Sequence, residues 1–216
     1  MRIRTLEQLS DALSREIVWR KRELSILRFM VDSGATGRGE AGVILRAASA
    51  MLYAHWEGFI RAAGEMYVSF VAGQKISLDK LATNFVALST RTLIRRAISS
   101  NKIRQHQDLV ENLINGAHKE AELSASRSME TKSNLSSAVL AEIFATLGLD
   151  HSEFESKSAM IDEQLLERRN TVAHGEYLSI DKESYLSAHS GVVEMLERIR
   201  TLIENAAALK KYLREN

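Results

Sequence analysis

The chain has 216 residues, 45% of them hydrophobic and 26% charged, with a formal net charge of +1. This is a length and composition for a globular protein with a packed core, and the near-zero charge excludes a global basic field for nucleic acid, leaving only local patches or patches joined by dimerisation. The absence of cysteine excludes a disulfide framework, a thiolate metal site and a Cys nucleophile, and fits a cytoplasmic location.

Leu6, Leu9, Leu13, Ile17, Leu24, Leu27 and Val31 recur at helical intervals. They predict one long helix over residues 1–32 with a single apolar stripe, either core or a coiled-coil-like arm. The first residues, MRIRTLEQLSDALSREI, carry charge throughout and lack an apolar h-region, so no secretory signal is expected. No apolar run approaches the ~18 residues of a membrane span, so no membrane partner is expected. SGATGRGE at 33–40 breaks the pattern. No Gly-Lys-Ser/Thr follows it and no strand precedes it, so it reads as a linker and not a phosphate loop.

From Ala41 to about Val71 the chain is apolar nearly all round, interrupted by Arg46, Glu57 and Arg61, and predicts a central buried helix. Two further helices are expected over 78–100 and 102–123, the second strongly polar. SASRSMETKSNLSS at 124–137 has no periodicity and reads as a loop. A short helix then closes at Gly148, another runs from near Ser158 into ERRNTVAHGEY, and a last one spans about 182–213 with Val192, Leu196, Ile199, Ile203 and Ala206 buried. The chain contains no proline, which a helix interior cannot accommodate, and the whole pattern is all-α.

The stretch Glu167–Tyr177 holds the densest polar chemistry. Ile161, Leu165 and Val172 turn one side of its helix to the core. Asn170 and His174 are four apart and share a face. Arg169 and His174 are five apart, roughly 140° on a straight helix. Both reach one small target only if the helix ends at Gly175, or if a second copy supplies the complementary group across a two-fold dimer. A histidine exchanges protons near neutral pH, an arginine forks onto phosphate oxygens, and an asparagine fixes the imidazole or the substrate. Together they suit cleavage of an RNA phosphodiester with no metal, and no His/carboxylate cluster stands at ligand spacing. Without its context, the same pattern is read first as a helix end whose dipole favours basic side chains.

The context adds a resemblance. IDEQLLERRNTVAHGEY follows NLSSAVLAEIFATLGL and precedes a long terminal helix; with RAASAMLYAHWEGFIRAAGEMY at 46–67 and its Trp-Glu-Gly step, it resembles the HEPN superfamily (higher eukaryote and prokaryote nucleotide-binding domains) and looks most like its RiboL-PSP-type branch. The resemblance covers most of residues 41–210 and implies a dimeric all-α HEPN-type helical bundle. Residues 1–32 are then a long N-terminal extension or dimerisation arm, and 41–216 the HEPN-like domain. The superfamily's motif, Arg followed by a polar residue and then His, maps to Arg169, Asn170 and His174, with Arg168 as the alternative arginine.

This resemblance implies a metal-independent endoribonuclease without a cofactor, of a toxin–antitoxin, phage-defence or stress system. RNA is its substrate, and a cognate inhibitor or defence protein is a further partner. His174 would be the acid/base, Arg169 the phosphate clamp and Asn170 the orienting group; Arg168, Glu176 and Tyr177 would line the groove. A catalytically inactive HEPN module that binds RNA, a nucleotide or a protein is the alternative, and a helical dimerisation protein built on the 6–31 stripe a third. Glu176 occupies the position where some HEPN toxins carry a modified tyrosine, which argues against control of that kind.

Of the remaining residues, Trp56 reads as core, and Glu57 as either a buried partner for an arginine or a support that orients the site. Arg95, Arg96, Lys102 and Arg104 read as a solvated helix end before a phosphate-binding patch. His55, His106, His118, His151 and His189 have no arrangement that singles them out.

Overall fold

The computed structural model describes residues 3–33, 38–125, 129 and 134–214. Residues 34–37 of the expected linker and 126–128 and 130–133 of the expected loop lie outside the described residues. Eight α-helices form among the described residues: α1 (Leu6–Asp32), α2 (Arg38–Gly73), α3 (Thr83–Ile98), α4 (Ile103–Asn115), α5 (Ser137–Leu147), α6 (Ser152–Glu155), α7 (Arg168–Ala173) and α8 (Lys182–Ala208). No helix is long and apolar enough to cross a membrane among the described residues.

α1, α2 and α8 pack against one another and carry the core. α1 begins with a reciprocal cap: the Thr5 hydroxyl accepts from the Gln8 N–H at 3.1 Å, and the Gln8 side chain accepts from the Thr5 N–H. Leu9, Leu13, Ile17, Leu24, Leu27 and Val31 are then all buried, while Leu6 lies off the stripe and is exposed. A separable arm over 1–32 would leave this stripe uncovered. Instead α2 and α8 cover it, so α1 is part of the same core as the rest of the chain.

α2 is the axis of the fold and packs on α1, α5, α7 and α8. Trp56, Phe59, Ala63, Tyr67 and Val68 are fully buried along it, so Trp56 packs in the core and offers no stacking platform. The Trp-Glu-Gly step places three different demands side by side. Trp56 fills the core, Glu57 faces α7, and Gly58 makes room for the buried Arg20 guanidinium of α1, which would lie 2.9 Å from a Cβ there.

The two helices expected over 78–100 and 102–123 are shorter. Residues Leu78–Lys80 form a single 3₁₀ turn before α3, and α4 stops at Asn115. Gly116 closes α4 through a bond from its N–H to the Asn112 carbonyl, and residues 117–121 then pair with 76–79. The Leu78 N–H reaches the Lys119 carbonyl at 3.1 Å, and the Ala121 N–H reaches that of Ile76 at 3.0 Å. Backbone pairing between these two segments, which no periodicity in one helix reveals, delays the start of the first predicted helix and ends the second early. α4 packs on α3 and turns Ile103, Val110 and Ile114 to solvent, while Arg95, Arg96, Lys102 and Arg104 lie exposed around the α3–α4 turn.

Gly148 closes α5 as expected, in the left-handed conformation at φ 66°, with the Leu149 N–H bonded to the Phe144 carbonyl. The helix expected from Ser158 differs in kind. Met160–Glu167 winds as a wide π-helical segment, and Arg168–Ala173 after it is α-helical. Its side chains explain the anchoring: Asp162 accepts from both the N–H and hydroxyl of Ser137, at 2.7 and 2.6 Å, while Ile161 and Leu165 are fully buried.

Two expected outcomes follow from this core. Leu24→Ala should cost about 2–5 kcal/mol, the range for a buried leucine, as a lower urea midpoint; an unchanged midpoint would return α1 to the status of an arm. Second, burial holds the His55 and His189 imidazoles below their ordinary pKa of 6.5, in His55 against the pull of Glu23 at 3.1 Å. The native state therefore binds fewer protons than the unfolded chain, so the urea midpoint should be highest above about pH 6.5 and fall as the pH drops through the lower native values.

Candidate functional site

The π segment and α7 lay the polar stretch against α2. Arg169 points inward. Its guanidinium lies 3.8 Å from the Glu57 carboxylate, donates to the Asn170 side-chain oxygen at 2.8 Å, and stacks with its central carbon 4.4 Å from the centre of the Tyr53 ring. Coulombic attraction, a hydrogen bond and a cation–π contact thus hold one group in one place. Tyr53 is fixed in turn: its hydroxyl accepts from the Leu135 N–H at 2.7 Å, in a buried bond. The arginine that Glu57 pairs with is Arg169, the arginine of the candidate motif.

The helix end lies where the spacing requires it. His174 caps α7, and its N–H bonds to the Asn170 carbonyl at 2.9 Å. Gly175 takes φ 76°, with its N–H on the Val172 carbonyl and the Glu176 N–H on that of Thr171. These two bonds form the paired closure that glycine permits at a helix end. The His174 side chain is consequently exposed, as are Glu176 and Tyr177.

The predicted site residues separate into groups. Arg169 touches both Glu57 and Asn170. Asn170 spends its side-chain oxygen on the guanidinium, so it orients the arginine. Glu176 and Tyr177 share an open cavity of about 250 Å³ with Arg46, Val172 and Gly175. Val172 was expected in the core; it is half-buried, because the α2 residue opposite it is Arg46. Arg168 leaves the groove altogether. It donates to the Ser184 hydroxyl at the start of α8, and burial lowers its pKa against the opposing effect of Asp181. Adjacent residues on a helix point about 100° apart, so only one of the two arginines can face α2. Among the described residues no group of three or more His, Cys, Asp or Glu is placed to hold a metal ion.

Tyr53 and Arg46 were missed in the sequence. Their signal was present: Arg46, Tyr53 and Glu57 stand seven and four apart, which is one face of α2. Three polar or half-polar residues on one face of an otherwise apolar helix mark a seam that holds something charged.

The site is thus an arginine clamped by the longest helix of an all-α bundle, five residues before an exposed histidine at a glycine-closed helix end. The RiboL-PSP-HEPN family model matches residues 15–205, and the chain belongs to that family. The match begins within α1, in keeping with the place of that helix in the core. No curated protein and no solved structure matches the chain.

Gly175→Ala tests the helix end. No heavy atom lies within 4 Å of the added methyl, so the cost is backbone strain alone, about 1–2 kcal/mol, read from urea unfolding. A neutral substitution would show that the left-handed turn is not retained.

Proposed function

We propose that the chain is a metal-independent endoribonuclease acting in the cytoplasm as a homodimer, with each site completed by the partner. The observation that carries this reading is the fixed Arg169 followed five residues later by an exposed His174 at the helix end, in a chain of the RiboL-PSP-HEPN family. His174 takes the proton of a ribose 2′-hydroxyl, whose oxygen attacks the adjacent phosphorus. The 5′-oxygen leaves with a proton supplied by the partner's His174, and a 2′,3′-cyclic phosphate remains. Arg169 meets the charge that builds on the phosphorane oxygens. Asn170, Glu57 and Tyr53 hold the guanidinium in place.

A surface for the second copy adjoins the site. Val43, Ala47, Met51 and Ala54 run along α2 between the Arg169 side and the α1 side, and all four are exposed. Small side chains there let a partner helix approach closely, and the exposed Val43 and Met51 supply apolar area. The biological setting that suits such an activity is a toxin–antitoxin, phage-defence or stress system, with a cognate inhibitor or sensor as a further partner.

One observation favours the alternative, a non-catalytic module that binds RNA, a nucleotide or a protein through the same cleft. The Arg169 charge is already matched by Glu57. Purified wild type and His174→Ala, incubated with total RNA in EDTA, separate the readings. Under the nuclease reading only the wild type cleaves, leaving 2′,3′-cyclic phosphate ends, and the variant loses about 10²–10⁴-fold in rate. Equal activity of the two proteins, or none with RNA binding retained in both, would transfer the assignment to the binding module.

A further inference from the structure

The turn that follows α7 carries a feature that bond cleavage does not need. Tyr177 is 84% exposed, yet its position is set, because the two bonds around Gly175 fix the backbone that leads to it. The Arg46 guanidinium covers one side of the ring, its central carbon 5.3 Å from the ring centre. At this exposure the rest of the ring is bare. Gly42 lies one turn back on α2, where a Cβ would meet the guanidinium only at ordinary contact distance, 3.6 Å. Glu176 lines the same cavity of about 250 Å³, between the aromatic ring and the helix end that carries His174.

Each group selects a different part of a nucleotide. A bare aromatic face stacks any base that is not already paired. A guanidinium lying over the other side of the ring can bind a backbone phosphate through its N–H groups. A carboxylate only accepts hydrogen bonds, so it favours a base edge that presents an amino group. Cytosine offers N4–H₂ and adenine N6–H₂, whereas uracil sets carbonyl oxygens on either side of its one N–H. We propose that Arg46, Glu176 and Tyr177 form a nucleotide subsite beside the cleavage site, which takes an unpaired, amino-bearing base of single-stranded RNA and disfavours uracil. This subsite rests on the RNA-directed reading above and names the substrate that reading leaves open.

The test uses the full chain carrying His174→Ala, so that RNA is bound without being cut, and fluorescently labelled pentamers of cytidine and of uridine. The pentamers differ little in stacking, so the carboxylate is isolated. Fluorescence anisotropy should show cytidine bound at least about five-fold more tightly, a difference that Glu176→Gln removes, since an amide both donates and accepts. Tyr177→Ala should weaken the cytidine pentamer roughly 5- to 150-fold while Tyr177→Phe retains it. Arg46→Ala should reduce the slope of log affinity against log salt by about 0.7, the value for one phosphate contact on a single strand. Circular dichroism on each variant confirms an unchanged fold. Equal binding of the two pentamers, or an unchanged salt slope in Arg46→Ala, overturns the subsite. If the wild type cleaves RNA while these variants bind like their parent, the subsite alone falls. If the pentamers are discriminated as expected but the wild type does not cleave, the subsite stands and the catalytic reading falls. If RNA is neither bound nor cleaved, both fall.

Discussion

Arg169 brings a permanent charge into a seam where only 22% of its side chain meets water. A guanidinium cannot be neutralised there by losing a proton, so its surroundings must compensate the lost hydration. Glu57 supplies charge, Asn170 an acceptor and Tyr53 a π face, and two of these three come from α2. The sequence of that helix answers to the requirement. It is apolar toward α1 and α8 and polar along the line of Arg46, Tyr53 and Glu57. The helix that organises the core therefore also sets the site, and a shift of α2 against α1 would reach Arg169 within one contact.

The same economy appears at residues 56–58. Three consecutive positions serve the core, the site and the α1 seam, because successive helical residues point about 100° apart. Arg20 and Arg169 thus approach different sides of one helix, at positions 58 and 57. The buried Arg20 of α1 and the half-buried Arg169 of α7 both pack on α2, the first supported by Glu16 of its own helix and the second by Glu57 of α2. The second is followed five residues later by the exposed His174.

Much of this was legible in the residues alone, where local rules act. The absence of proline, the α1 stripe, the apolar α2 and the glycines at 148 and 175 each act through their own helix, and each has its expected effect. What escaped depends on contacts between distant segments. α4 ends at Gly116 because residues 117–121 pair with 76–79. Arg168 and Arg169 are equivalent by spacing, and only the positions of α8 and α2 assign them different partners. Nothing local to Tyr53 says that a cation will lie on its ring. The wide turn at 160–167 has no compositional mark, because Met, Ile, Gln and Leu suit an α-helix as well.

That wide turn has a consequence for how the chain tolerates changes in length. A π segment holds more residues per turn than the α-helix that continues it, so it stores surplus chain along one axis. Loss of a residue within it can be absorbed as the turn tightens toward α, with Arg168–Ala173 left in register on α2. An insertion or loss inside α7 has no such reserve, and would rotate Arg169 off Glu57 by about 100°. The segment is a slack spacer before a rigid one, and it separates the fidelity of the motif from the exact count of residues that lead to it.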